Sequence, residues 1–106
     1  MRQIDAPQLR DWLAGPPQPV TLLDVREPWE VALCRMEGSL HIPLAQLPAR
    51  LGELDPDRPT VVICHHGVRS LHAGAFLERQ GFGDVVNLRG GIDGWARCVD
   101  AAMAVY

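Results

Sequence analysis

The residues best suited to chemistry form one run, Val61-Val62-Ile63-Cys64-His65-His66-Gly67-Val68-Arg69-Ser70. A β-branched stretch ends at Cys64 and a helical pattern starts near Arg69, which places the thiol in a loop between a buried strand and a helix N-terminus. A thiol attacks as its thiolate, and such a loop can favour the anion in two ways. The helix dipole contributes about 0.3–1 kcal/mol at its first turn, whereas each hydrogen bond to a charged group contributes about 1.5–3 kcal/mol. Two or three amides curled around the sulfur, as an anion-binding nest, therefore outweigh the dipole. Gly67 suits such a loop, because a tight turn often needs one residue free to take positive φ. Arg69 adds a positive charge and a fork of donors for an oxyanion. A lone Cys at a strand end reads equally as a small, inert core residue. Followed by His-His-Gly-Val-Arg-Ser and a helix, it reads as a nucleophile.

The surrounding pattern supplies the elements that would position this loop. Asp5-Ala6-Pro7-Gln8 predicts a helix start, with Asp5 as cap, Gln8 reaching back and Pro7 in the first turn. Leu9, Trp12 and Leu13 share one face of that helix, and Gly15-Pro16-Pro17 ends it. Val20 to Val25 predicts a buried strand ending near Asp24, and Glu27-Pro28-Trp29-Glu30 opens a short helix. Leu40-His41-Ile42 predicts a strand stopped by Pro43, and Ala45 to Leu54 a helix with Leu47, Leu51 and Leu54 on one face. Thr60 to Ile63 is the strongest strand pattern. Arg69 to Gln80 is the strongest helix, with Ala73, Phe76 and Leu77 inside and Gly81 as its stop. Val85 to Leu88 predicts a last strand, and Gly90-Gly91 leads into a helix carrying Ile92 and Trp95. This alternation predicts an α/β fold with a mainly parallel sheet and helices on both faces. Sites in such sheets form at the carboxyl ends of strands, where Cys64, Asp24 and Arg26 fall.

The 106 residues suffice for one domain spanning 1–106, and a chain of this size buries roughly two-thirds of its unfolded surface without a disulfide or structural metal. Net charge is −3 and no basic patch is present, which argues against nucleic acid as a partner. The N-terminal Met1-Arg2-Gln3-Ile4-Asp5 turns polar at once and does not read as a signal peptide. No apolar run approaches the roughly 20 residues of a membrane span. Cys34, Cys64 and Cys98 are odd in number and widely spaced, which fits a reducing, cytoplasmic compartment better than a disulfide framework.

Taken in order, the motifs resemble those of the rhodanese-like sulfurtransferases. Cys64 to Ser70 resembles the active-site loop of that family, and Leu22 to Glu30 its first strand and following turn. Gly38-Ser39-Leu40-His41-Ile42-Pro43-Leu44, Gly81-Phe82 and Gly90-Gly91-Ile92-Asp93-Gly94-Trp95 resemble further segments of it, so that the resemblance covers nearly the whole chain. It implies the rhodanese fold, with a central, mainly parallel five-stranded sheet flanked by helices on both faces. It also implies a two-step sulfur transfer without a cofactor. Cys64 would take a sulfane sulfur from a small anionic donor such as thiosulfate. The resulting persulfide would pass it to cyanide or to a small-molecule or protein thiol. The amides of His65, His66, Gly67, Val68, Arg69 and Ser70 would cradle the terminal sulfur. Arg69 would steer or bind the donor, and Asp24 and Arg26 would brace the loop. The chain departs from the family at Cys34-Arg35-Met36-Glu37, where relatives usually carry Gly-His-Ile-Pro near the site entrance.

Rival readings meet specific obstacles. Cysteine phosphatases and arsenate reductases of a related fold have one more residue between Cys and Arg, a wider ring suited to phosphate. A rhodanese-like docking module without activity usually lacks the cysteine, whereas a carrier that hands sulfur to a partner protein would use the same chemistry. Cys64, His65 and His66 suggest a metal superficially, but adjacent residues rarely converge on one ion, and no metal is expected. His72 reads as a helix-face residue and His41 as a satisfied core histidine. Cys34 and Cys98 read as bystanders, and Trp12, Trp29 and Trp95 as core or domain-edge packing.

Overall fold

Cys64 follows the central strand of a five-stranded sheet in which every pairing is parallel. The computed structural model describes residues 1–106. In chain order the elements are β1 (Arg2–Ile4), α1 (Ala6–Ala14), β2 (Thr21–Asp24), α2 (Pro28–Leu33), β3 (Leu40–His41), two 3-10 turns (Leu44–Gln46 and Pro48–Glu53), β4 (Thr60–Ile63), α3 (Arg69–Arg79), β5 (Val85–Leu88) and α4 (Gly91–Cys98). The strands lie in the order β1-β5-β4-β2-β3. The chain leaves β4 towards β5 on one side and leaves β2 towards β3 on the other, so the loops after β2 and β4 part between these two neighbouring strands. That is where a crevice forms in an open parallel sheet.

Both faces of the sheet are covered, which explains why its strands read as continuous apolar runs. Leu23, Val25, Val62, Cys64 and Val85 pack with Ala73 and Leu77 of α3 and with Leu47 and Leu54 of the 3-10 segment. Leu22, Val61, Ile63, Val86 and Leu88 pack on the other face with Leu9 of α1, Ile92 of α4 and Met36. Since alternate residues of a strand share a face, Val62 and Cys64 both turn towards α3.

The expected ends of α1 and α3 are present. Asp5 accepts from the Gln8 amide at 2.9 Å while Gln8 Oε1 accepts from the Asp5 amide at 2.8 Å. At the other helix, Phe82 N donates to Leu77 O and Gly81 N to Glu78 O, closing α3.

The structure adds one strand and corrects one helix. Arg2–Ile4 is an edge strand paired with Val86 to Leu88, too short and too polar to carry a periodic signal. Ala45 to Leu54 is not an α-helix but two 3-10 turns: Pro48 supplies no amide and Arg50 leaves helical geometry at φ −116°, ψ 16°. Leu47, Leu51 and Leu54 nevertheless still face the core. Of the tryptophans, Trp29 is 63% exposed and meets Tyr106 edge-on at 5.9 Å, whereas Trp12 and Trp95 pack on the edge of the second cluster.

Candidate active site

The Cys64 sulfur sits at the floor of its loop, with only 1% of the residue exposed. Gly67 N donates to Cys64 Sγ at 3.0 Å, and Ser70 Oγ lies 3.2 Å from the same sulfur. Gly67 reaches this position with φ +105°, and a Cβ there would press on the Leu88 carbonyl and Gly90 amide. The loop therefore needs glycine twice over, for its backbone angle and for the space that β5 leaves it.

The loop is held from outside by α4. Ile92 N donates to Cys64 O at 2.9 Å and Asp93 N to His65 O at 3.1 Å. Two of the helix's unpaired N-terminal amides thus satisfy loop carbonyls. A trans peptide points its N–H opposite to its C=O, so the amides of His65 and His66 face away from α4. The approach is close: Gly91, at φ +60°, runs so near that a Cβ would collide with the Cys64 and His65 carbonyls.

Beneath the loop, Asn87 of β5 is a buried amide among apolar neighbours. Its Oδ1 accepts a short hydrogen bond from Ser70 Oγ, and its Nδ2 donates to Gly67 O at 3.3 Å and Gln3 Oε1 at 3.2 Å. A chain of contacts therefore runs from the sulfur through Ser70 to Asn87, and Asn87 also fixes the residue whose amide meets the sulfur.

A second set of residues forms a charged wall beside the loop. Arg69 forks onto Glu30, with Nη1 to Oε1 at 2.6 Å and Nη2 to Oε2 at 2.7 Å. Glu30 also accepts from Tyr106 Oη at 2.7 Å and from the Glu27 amide at 3.1 Å. The Arg69 guanidinium, aided by the Tyr106 hydroxyl against the opposing effect of burial, holds the Glu30 carboxyl down at about 2. Tyr106 in turn accepts from Arg26 Nη1 at 3.0 Å, and burial pushes its phenol up to about 12. Glu30 raises the Arg69 guanidinium, and the neighbouring Cys64 adds a smaller push in the same direction.

Asp24 and Arg26 anchor the far end of this wall. Arg26 is fully buried and paired with Asp24 at 2.6 Å; it also donates to the carbonyls of Glu30 at 3.2 Å and Cys34 at 2.7 Å. Burial opposes its charge, but hydrogen bonds to Asp24 and Tyr106 outweigh that and raise it. The pair thus braces α2 and Tyr106, and meets the Cys64 loop indirectly, through Glu30 to Arg69 and through Tyr106 to His65.

The loop histidines stack, and His66 Nδ1 also lies 3.9 Å from the Asp93 carboxylate. The His65 ring lies 3.8 Å from Tyr106 at an interplanar angle of 4° and 3.9 Å from His66. Burial, with some help from His66, lowers its basicity. Contrary to expectation, donor atoms of His65, His66 and Asp93 do converge, within 4.8 Å of one another. The Asp93 carboxylate, however, is already bonded to Arg97 at 3.0 Å, which lowers its titration. His41 bonds the Arg26 carbonyl at 2.6 Å and His72 is exposed. All three cysteines are free, Cys34 Sγ lying 3.8 Å from Arg26 Nη1 and Cys98 facing outward. The largest cavity, about 340 Å³, opens among Arg2, Gln8, Trp12, Pro59 and Asp84, at the amino ends of the strands and away from Cys64.

Sequence reasoning did not single out Glu30, Asn87, Tyr106 or Gly91 as site residues. Asn87 left a signal, an amide inside the apolar run Val85–Leu88. Glu30 registered only as part of a helix start, and nothing near Tyr106 in sequence points to it.

Comparison with known proteins places this arrangement. The "Rhodanese-like domain" family matches residues 5–98. A sulfurtransferase of Allochromatium vinosum is 41% identical over 97 residues, covering 92% of this chain and 90% of its own. The thiosulfate sulfurtransferase GlpE of Pseudomonas fluorescens is 41% identical over 78 residues, covering 74% and 72% of the two chains. Among solved structures, a rhodanese-like domain protein from Staphylococcus aureus superposes with a TM-score of 0.86 at 28% identity, covering 100% of this chain and 99% of the other.

Proposed function

This chain belongs to the rhodanese-like domain family, and we propose that it works as a sulfurtransferase, moving a sulfane sulfur from thiosulfate or another donor to cyanide or a thiol through a persulfide on Cys64. The observation that carries this reading is the Gly67 amide 3.0 Å from Cys64 Sγ, in a loop with only four residues between Cys64 and Arg69. Such a ring suits one sulfur atom better than a phosphate. The relatives named sulfurtransferase and thiosulfate sulfurtransferase support it.

In the first step the Cys64 thiolate attacks the outer sulfur of thiosulfate. The new Sγ–S bond forms as the donor S–S bond breaks, and its electron pair leaves with sulfite. The amides of His65 and His66, turned away from α4, and that of Gly67, already on Cys64 Sγ, hold the terminal sulfur anion. In the second step the acceptor attacks that sulfur and the electron pair returns to Cys64. Cyanide leaves as thiocyanate, a thiol as its persulfide. Atoms and electrons balance without any cofactor. No helix is long and apolar enough to cross a membrane.

Thiosulfate:cyanide transfer by the native protein and by Cys64→Ser tests the reading. Activity is expected only in the native protein, with one added sulfur mass on Cys64 after incubation with donor. Transfer that survives Cys64→Ser, or the added mass on Cys34 or Cys98, would falsify it. Hydrolysis of aryl phosphates would revive the phosphatase alternative.

A further inference from the structure

The cation on the catalytic loop is not free to take a donor. Both arms of the Arg69 fork are closed by Glu30, at 2.6 and 2.7 Å, and the Glu30 side chain is only 3% exposed. Arg26 is matched by Asp24 at 2.6 Å and Arg97 by Asp93 at 3.0 Å, while Arg89, exposed at the end of β5, has no carboxylate partner. Burial lowers the basicity of His65. Glu30 cannot easily turn aside, because Tyr106 and the Glu27 amide hold it from two further directions. Beside these matched charges stand two apolar side chains, Trp29 and Val68, each 63% exposed.

This environment discriminates between sulfur donors by charge. Thiosulfate is a dianion, and here it must approach a thiolate and a carboxylate while the loop's own guanidinium is already taken. An organic persulfide, R–S–S⁻, brings one negative charge and an R group that apolar surface can receive. We propose that Glu30 is a specificity-determining residue. By neutralising Arg69 it tunes the site towards singly charged organic persulfides and makes thiosulfate the poorer donor. This rests on the sulfur-transfer reading above. The step is R–S–S⁻ plus Cys64–S⁻ giving R–S⁻ plus Cys64–S–S⁻. The Sγ–S bond forms, the donor S–S bond breaks, and the electron pair departs with R–S⁻ without net oxidation.

The test compares second-order rate constants for persulfide formation on Cys64, by rapid quench and intact mass, using thiosulfate and the persulfide of 2-mercaptoethanol as donors. Glu30→Gln keeps the shape and removes the charge. It is expected to raise the thiosulfate-to-persulfide ratio by on the order of tenfold, since charges a few ångströms apart at a protein surface interact strongly. In an Arg69→Gln background the same change removes a repelling carboxylate but frees no guanidinium, so the ratio should rise less. Tyr106→Phe, which loosens Glu30 and takes one acceptor from Arg26, should raise it on the order of threefold. A ratio that stays level or falls in folded Glu30→Gln overturns the proposal; if that variant does not fold, Tyr106→Phe decides by the same criterion. If both donors load Cys64 but the ratio does not respond, this inference alone fails. If neither donor loads it, the sulfur-transfer reading fails first and takes this one with it.

Discussion

The loop around Cys64 and the wall beside it are built by opposite strategies. The sulfur's own contacts reach Gly67 and Ser70, three and six positions along the chain. The wall's bonds join residues 39, 76 and 80 positions apart: Arg69 with Glu30, Tyr106 with Glu30, and Arg26 with Tyr106. The loop uses neutral amides and a hydroxyl, whereas the wall buries charges. On the proposed sulfur-transfer reading, local contiguity specifies the nucleophile, whereas setting the charge that a donor meets requires distant residues to be folded into place. Stability and its pH dependence should therefore concentrate in the wall, and the rate of sulfur uptake in the loop.

The strongest way to break that contrast is to remove one partner of the deepest ion pair. Asp24 and Arg26 are 1% and 0% exposed, so Asp24→Ala leaves a buried guanidinium facing only Tyr106 and backbone carbonyls. Stranding a buried charge in this way costs about 3–5 kcal/mol, a large share of what a small domain possesses. Urea unfolding should show a loss of that size. A loss under about 1 kcal/mol would mean that the wall does not carry the stability assigned to it.

A smaller effect sharpens the contrast through pH. The Glu30 carboxyl is lowered from 4.5 to about 2 by Arg69 and Tyr106. A group whose folded-state titration is depressed stabilises fully above its unfolded value and loses that stabilisation as pH falls towards the folded one. The contribution is on the order of 2–3 kcal/mol, given that Arg69 remains partly open to solvent. Native protein should accordingly lose stability as pH falls from about 4.5 towards 2. Glu30→Gln should show a flatter profile in that window. Parallel profiles for the two proteins would place the acid sensitivity in some other carboxylate.

The same division explains what could be read in the sequence. Cys64, Gly67 and Ser70 lie in one run, and their chemistry follows from residue type and spacing. The alternation of β-branched runs with helical patterns likewise carried the parallel sheet and four of its five strands. The fifth, Arg2–Ile4, is three residues long at an edge, where pairing with β5 rather than any pattern of its own makes it a strand. Arg69 shows the limit most clearly. Its position in the loop suggested a free anion-binding fork, but Glu30, whose sequence neighbourhood indicates only a helix start, has closed it. Tyr106 is more extreme: a tyrosine whose ring stacks on His65 and whose hydroxyl bridges Arg26 and Glu30 has no local feature that announces it. Long-range charge pairing is decided by the assembled fold, and no periodicity encodes it.

The gentlest test lies in the loop itself. Ser70 has one hydroxyl proton and two claims on it. In the resting thiol it donates to Asn87 Oδ1, leaving an oxygen lone pair for the Cys64 S–H across 3.2 Å. Once the sulfur becomes an anion the S–H is gone, and the hydroxyl must turn to donate to it. Asn87 then keeps its place through Gly67 O and Gln3. Ser70→Ala removes this adjustable proton without disturbing the Gly67 amide. Asn87 Oδ1 loses its donor, a cost of about 1 kcal/mol in unfolding free energy. The anionic sulfur loses one of its bonds, which should slow persulfide formation on Cys64 by about tenfold, because 1.4 kcal/mol corresponds to a factor of ten. Ser70→Thr keeps the hydroxyl and should recover most of that rate. If Ser70→Ala instead lowers stability while sulfur uptake stays at the native rate, the hydroxyl serves only Asn87, and the loop stabilises its anion through backbone amides alone.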